Sequence, residues 1–344
     1  MTTLRTLGEL QVPAIGFGAM VLSPGMYGEI DDDRGVAALQ AAIDHGGTFI
    51  DTSDAYGGAG HNERLVGRAI RGRRSEITLA TKFGLTLADG AQAHPLKVGF
   101  AFEELLVNAE PKYIRTYAED SLRNLGTDVI DLYYLHFPDP QVPIEDSVGA
   151  MAELVADGKV RQLGVSNVTP DELRRAYAVH PIAAVQTEWS MWRPVDPELL
   201  EVARELGVGV VPWSPLGAGF LTGTVQKLSA DDFRNNAPRF GADSLQANNQ
   251  SYAALQALAV DLGITRSQLA LAWLLHQDPA VVPIPGSRTP AHIVENLAAA
   301  EITLHPDTLA RVDAVLARIE PVGATLLQDA RRGRSSSDCR QSSC

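Results

Sequence analysis

The chain has 344 residues, 45% hydrophobic and 21% charged, which fits an ordinary globular enzyme with a large core. Its 42 acidic against 29 basic side chains leave a formal net charge of -13, which repels polyanions and argues against nucleic acid or an acidic membrane surface as a partner. The opening MTTLRTLGELQVPAIGFG lacks the charged start and apolar core of a signal peptide, and no apolar run approaches ~20 residues, so a cytoplasmic protein with no membrane span is expected.

In chain order, TLGELQVPAIGFG alternates about Gly8 and predicts a small β-hairpin. Apolar strands are expected at 14–19, 48–50, 77–83, 130–135, 160–165, 183–188, 208–213 and 281–285, with amphipathic helices between them. Val36, Leu39 and Ile43 recur at helical spacing after the first strand, as do Ile144, Val148, Met151 and Leu154 after the fourth. Thr169-Pro170-Asp171-Glu172 reads as a capping box with proline at the first helical position, Asp196-Pro197 as a second helix start, and Gly46, Gly126, Gly207 and Gly263 as left-handed helix ends. Eight β-then-α units whose strands have no wet face predict an α/β fold, a (β/α)8 barrel of the TIM type, with the hairpin closing its bottom. Gly16-Phe17-Gly18 does not complete a dinucleotide-binding glycine fingerprint, which disfavours an open sheet.

The connections 84–111 and 215–247 are long enough to be lids or binding loops. Residues 1–322 are expected to form one barrel domain. The remainder, 323–344, ends in the polar, non-periodic DARRGRSSSDCRQSSC and is expected to be disordered. It carries both cysteines, Cys339 and Cys344, so the body has neither a disulfide framework nor a thiolate nucleophile.

Chemistry concentrates at strand exits. Asp51 ends the second strand, Tyr56 follows in the next turn, and Lys82 and His136 end the third and fourth. An ammonium at a barrel mouth needs an anion, and Asp51 supplies one. This set suits carbonyl reduction, because hydride arriving at carbon leaves an alkoxide that must be protonated. Lysine charge makes the Tyr56 phenol a better acid, the aspartate fixes the lysine, and a neutral His136 donates to the carbonyl oxygen. A metal-dependent hydrolase using His136, Asp51 and His61 is disfavoured: no His-x-His ends a strand and Lys82 would repel the cation, so no metal is expected.

The runs IDTSDAYG, ATKFG, LYYLH, KVRQLGVSN, VQTEWS, VPWSPLGAGFLTG and IPGSRTPAHIVEN, in this order, resemble the aldo-keto reductase superfamily over nearly the whole chain before the tail. The resemblance implies a (β/α)8 barrel that reduces aldehydes and ketones with NADPH and no metal, and it places the catalytic four on Asp51, Tyr56, Lys82 and His136. It also implies cofactor positions: Ser166, Asn167 and Gln186 for the nicotinamide carboxamide, Trp213 stacked on the ring, and Ser214, Leu216 and Gly217 along the pyrophosphate. Gly286, Ser287 and Arg288 fall at the 2'-phosphate, and Glu295 and Asn296 at adenine. Gly286 and His292 stand where many relatives have lysine and arginine, so the phosphate clamp rests on Ser287 and Arg288. Phe137 and Trp189 stand where relatives often have arginine and tyrosine, and both are expected to enlarge the apolar surface near the mouth, in favour of aromatic or hydrophobic aldehydes as the small-molecule carbonyl. The alternative to turnover is a regulatory barrel that holds cofactor with negligible activity; the oligomeric state is left open.

Overall fold

A computed structural model describes residues 3–99, 103–225, 227–229 and 232–325. Leu4–Leu7 (β1) and Leu10–Pro13 (β2) pair antiparallel, and Gly8 between them has a φ of 57°, the left-handed turn that glycine adopts without strain. Phe17–Gly18 (β3), Phe49–Asp51 (β4) and Thr78–Phe83 (β5) follow; then come a separate hairpin of His94–Gly99 (β6) and Glu103–Val107 (β7), and Ile130–Leu135 (β8), Val160–Ser166 (β9), Ile182–Glu188 (β10) and Gly209–Trp213 (β11). Seven of these strands lie in one parallel sheet, in the order β3, β4, β5, β8, β9, β10, β11.

The run 281–285 closes that sheet although it is not a regular strand, because Pro283 and Pro285 bring no N–H to the ladder. Val282 and Ile284 donate to the Val210 and Pro212 carbonyls (2.9 and 3.2 Å), while Pro283 and Pro285 accept from Gly16 and Gly18 (3.0 and 3.3 Å). The expected (β/α)8 barrel is thus the observed architecture, with an eighth segment that donates to β11 on one side and accepts from the residues around β3 on the other.

Helices Asp32–Asp44 (α1), His61–Ala69 (α2), Pro111–Leu125 (α3), Ile144–Ala156 (α4), Pro170–Val179 (α5), Pro197–Leu206 (α6), Ala242–Ser251 (α7), Ala253–Asp261 (α8), Arg266–Leu275 (α9), Pro290–Ala298 (α10) and Pro306–Leu316 (α11) surround the strands. The predicted capping box starts α5: Thr169 Oγ1 accepts from the Glu172 amide and the Glu172 carboxylate from the Thr169 amide. Among the described residues no single helix is long and apolar enough to cross a membrane.

Strand periodicity positions the site. Inward residues alternate with those facing the helices, and the bottom layers are apolar: Phe49, Ala80, Leu132, Ala184, Val211 and Val282 cluster with Leu7 and Val12 of the hairpin. A Cβ on Gly209, the first residue of β11, would lie 2.3 Å from Leu7, so the hairpin plugs the N-terminal end of the barrel, as the sequence predicts. One layer higher the same parity brings Asp51, Lys82, Tyr134, Gln186 and Trp213 inward. Glycine makes the space: a Cβ on Gly164 would stand 2.4 Å from the Tyr134 ring.

Within the connection 84–111, His94–Gly99 and Glu103–Val107 pair as the β6–β7 hairpin. Its buried His94 meets Asp139, just past His136, with Nδ1 2.8 Å from Oδ2. The described residues of the connection 215–247 include short 3-10 turns at Phe220–Thr222, Phe233–Asn236 and Pro238–Phe240, and the Trp192 ring stacks on Phe220 at 4.0 Å. Ordered contacts continue past 322: Arg239 donates to the Gly323 and Ala324 carbonyls, and Thr325 is buried. The rest of the expected tail, 326–344, lies outside the described residues.

Candidate active site

Asp51, Lys82, Gln186 and Tyr56 form one hydrogen-bonded group at the C-terminal end of the barrel. Lys82, fully buried, donates from Nζ to Asp51 Oδ1 (2.5 Å), the Thr52 carbonyl (2.8 Å) and Tyr56 Oη (3.2 Å). Gln186 Nε2 donates to the other carboxylate oxygen at 2.8 Å. Burial works against the ammonium, but the Asp51 charge and the bonds to Asp51 and Tyr56 outweigh it and hold the Lys82 pKa above its ordinary value. Burial likewise pushes the Asp51 carboxyl up, against the pull of Lys82 and Gln186. The pair stands as ammonium and carboxylate, since a neutral pair would forfeit the attraction at this separation.

Tyr56 departs from expectation. Burial pushes its phenol above the ordinary value, and Lys82 offsets only part of this, so in the free protein the lysine does not produce the lowered pKa expected from the sequence. His136 is held well below its ordinary value by burial and by the Lys82 charge, hence neutral. Its ring lies edge-on to Tyr56, with centroids 5.8 Å apart, and Phe137 stacks behind it at 5.2 Å. His61 is elsewhere, paired with Asp32 at 3.0 Å.

The sequence reading missed what lies behind His136. Its Nδ1 is 3.1 Å from Ser53 Oγ, which lies 2.9 Å from Asp54 Oδ1. Both residues are buried, and burial followed by repulsion from Glu63 raises the Asp54 carboxyl to a pKa of about 7. The signal was present in Asp51-Thr-Ser-Asp-Ala-Tyr56, where a second acid follows the first; alone it reads as turn chemistry.

A cavity of about 950 Å³ opens beside Asp51, Tyr56 and His136. Ser166, Asn167, Gln186, Trp213, Ser214 and Leu216 line it at one end; Gly286, Ser287, Arg288, Glu295 and Asn296 line it further out. Asn167, at a φ of 58°, donates to the His136 carbonyl (3.1 Å) and Ser166 Oγ (3.0 Å) and accepts from Trp213 Nε1 (3.1 Å). Ser214 Oγ accepts from the Ala218 amide at 2.7 Å, and Glu295 accepts from Thr265 Oγ1 at 2.7 Å.

Three sequence assignments look different in three dimensions. Gly217 does not line the cavity; a Cβ there would come within 2.8 Å of the Trp192 ring, so its bareness admits that indole. Arg288 donates to the Val21, Gly28 and Glu29 carbonyls (2.6, 2.9 and 3.3 Å), tying down the loop after β3. Trp189 is buried against Trp273, away from the mouth that Phe137 does line. The rest of the mouth includes an apolar group not anticipated by residue, Tyr27 from the β3 loop, Leu85, and Leu105 and Leu106 of β7, with Glu104 beside them.

Comparison with known proteins gives a consistent picture. The sequence model of the Aldo/keto reductase family matches residues 14–317. A probable aldo-keto reductase 1 from Glycine max is 39% identical over 306 residues, 88% of this chain and 85% of that protein. The glycerol dehydrogenase AKR11B4 from Gluconobacter oxydans superposes with a TM-score of 0.78 at 30% identity, covering 93% of this chain and 96% of that one. An aldo/keto reductase from Klebsiella pneumoniae, solved with NADP and acetate, superposes with a TM-score of 0.71 at 29% identity, covering 95% and 99%.

Proposed function

The chain belongs to the aldo/keto reductase family, and from that premise we propose that it reduces aldehydes or ketones to alcohols with NADPH, with Tyr56 as the proton donor. The observation that carries this is the Lys82 ammonium held between Asp51 and the Tyr56 hydroxyl, which lines the cavity. NADPH supplies the hydride when bound. Tyr56 delivers the proton to the nascent alkoxide, Lys82 stabilises the phenolate that remains, Asp51 with Gln186 fixes Lys82, and His136 orients the carbonyl oxygen.

The cavity residues fit a dinucleotide. Ser166 and the partly engaged amides of Asn167 and Gln186 offer polar groups at the nicotinamide end. Trp213 offers a ring face, Ser214 and Leu216 frame a phosphate loop, and Ser287 with the start of α10 offers donors to the 2'-phosphate. The apolar mouth of Tyr27, Leu85, Leu105, Leu106 and Phe137 suits a hydrophobic carbonyl compound better than a polyol.

A single-turnover measurement tests the function against a regulatory, cofactor-holding role. Bound NADPH should be oxidised by an aromatic or aliphatic aldehyde, and steady-state turnover should proceed at a comparable rate. Oxidation of the bound equivalent without turnover would leave the regulatory reading, and no oxidation by any aldehyde, ketone or quinone would remove the reductase assignment.

Two further outcomes test the cofactor placement. NADPH should quench tryptophan fluorescence mainly through Trp213, whose ring lines the cavity while Trp189 and Trp192 are buried in the core. An unchanged quench in Trp213→Leu would remove the stacking. For Arg288→Ala, NADPH is expected to lose about 1.5–3 kcal/mol of binding and NADH less. NADH is affected because three of the guanidinium N–H groups anchor the β3 loop. Equal losses in titrations of the two cofactors would assign Arg288 to the loop alone.

A further inference from the structure

Ser53 Oγ stands between two groups that both depend on its single proton. On one side is His136 Nδ1 at 3.1 Å, on the other Asp54 Oδ1 at 2.9 Å, while the Ala55 amide donates to the same oxygen at 3.3 Å. Asp54 Oδ2 accepts from the Thr86 amide at 3.1 Å, and Thr86 Oγ1 donates to the Asp54 carbonyl at 3.0 Å, so the carboxyl is held in this orientation. With Nδ1 engaged, Nε2 is the imidazole nitrogen left to the cavity. We propose that Asp54 is a positioning residue that, through Ser53, decides which nitrogen of His136 carries the proton, and therefore whether the imidazole offers the substrate oxygen a donor or an acceptor.

The donor count forces the coupling. When Asp54 is ionised it is acceptor-only, so the Ser53 hydroxyl donates to it. Ser53 Oγ must then accept from His136, Nδ1 carries the hydrogen, and Nε2 is bare. When Asp54 is protonated it donates to Ser53 Oγ, the Ser53 hydroxyl turns to Nδ1, and the single N–H of the neutral ring is on Nε2. The conversion balances: a proton taken from the cavity at Nε2 displaces the Nδ1 hydrogen onto Ser53 and the Ser53 hydrogen onto Asp54. One proton enters, none leaves, and the imidazole is neutral before and after.

The surroundings favour a switch near neutrality. The titratable groups that face Asp54 are Glu63 from α2, Tyr117 from α3, Tyr133 from β8, and Tyr56 and His136 at the site. None is a cation. Lys82 lends Asp54 only a backbone carbonyl, and its ammonium is engaged by Asp51, Thr52 and Tyr56. The pKa of about 7 agrees with this setting. Carbonyl reduction then falls as pH rises through the Asp54 ionisation, because Nε2 loses its hydrogen and the substrate oxygen loses that donor.

The consequence for catalysis rests on the proposed role of His136, but the tautomer does not require turnover. In protein labelled with nitrogen-15 histidine, and with His136 assigned by the signal lost in His136→Gln, long-range nitrogen–proton spectra should show Nε2–H below neutral pH and Nδ1–H above it. Asp54→Asn, whose amide must turn its NH2 to Ser53 to keep an oxygen on the Thr86 amide, should hold Nε2–H throughout. Ser53→Ala should abolish the response to pH. In steady state, kcat/KM for reduction should fall roughly 10-fold or more across the transition in the parent, within the 10²–10³ a single oxyanion donor contributes, and this fall should vanish in Asp54→Asn. A tautomer unchanged across neutral pH in the parent, or one that still follows pH in Ser53→Ala, overturns the proposal. A switching tautomer in a protein without reductase turnover would sink the reductase reading and leave the relay standing; turnover with a fixed tautomer would do the reverse.

Discussion

Tyr56→Phe is expected to lower kcat for carbonyl reduction by about 10²–10⁴, the usual contribution of a positioned general acid, with NADPH affinity nearly unchanged. The substitution removes one oxygen atom, whose partner is Lys82 Nζ at 3.2 Å, and leaves in place the ring that lies edge-on to His136 and 4.9 Å from the ammonium. Because burial lifts this phenol above its ordinary pKa in the free protein, Tyr56 keeps its proton at neutral pH until negative charge develops on the substrate oxygen. The loss therefore belongs to kcat rather than to ground-state binding. Steady-state kinetics with an aromatic aldehyde, alongside cofactor titration, checks both halves. A variant that keeps a sizeable fraction of turnover would place the acid elsewhere, and a parallel loss of NADPH affinity would make Tyr56 a binding residue.

The legible parts of this molecule share one cause, the two-residue period of strands buried on both faces. Asp51, Lys82 and Gln186 are the last inward residues of apolar runs, so parity alone sends them to the same end of the barrel. The glycine-centred hairpin was legible for the same reason, since Leu7 and Val12 alternate inward. What escaped depends on contacts between distant loops. Ser53 and Asp54 acquire meaning only when Lys82 and His136 arrive beside them. Arg288 reads as a phosphate ligand, and nothing in the sequence shows that it also ties down the β3 loop, some 260 residues earlier, through that loop's carbonyls. Nor does the sequence show that the bareness of Gly217 makes room for Trp192, or that Trp273 covers Trp189. The β6–β7 hairpin had a signal in the near-alternation of HPLKVG and EELLV, but connection length outweighed it.

Lys82→Met should be costly in a way that separates chemistry from architecture. It strands a carboxylate that is 2% exposed, leaving Asp51 with Gln186 as its remaining hydrogen-bond donor and the Thr52 carbonyl without the ammonium. Breaking a buried pair from one side typically costs about 3–5 kcal/mol, because the surviving charge is uncompensated. The pH dependence has a definite sign. Burial already raises the Asp51 carboxyl, and removing Lys82 raises it further, so the folded-state pKa exceeds the unfolded one. For such a group the penalty is complete above the folded pKa and disappears as pH falls toward the unfolded value. Denaturant unfolding of Lys82→Met should therefore show its largest deficit at neutral to alkaline pH and a shrinking one in acid. Adding Asp51→Asn removes the stranded charge, and the double variant should regain most of the lost stability. It should not regain activity, because Tyr56 would still lack the cation that stabilises its phenolate. Recovery of turnover together with stability in the double variant would reduce the pair to a structural brace and remove Lys82 from the chemistry.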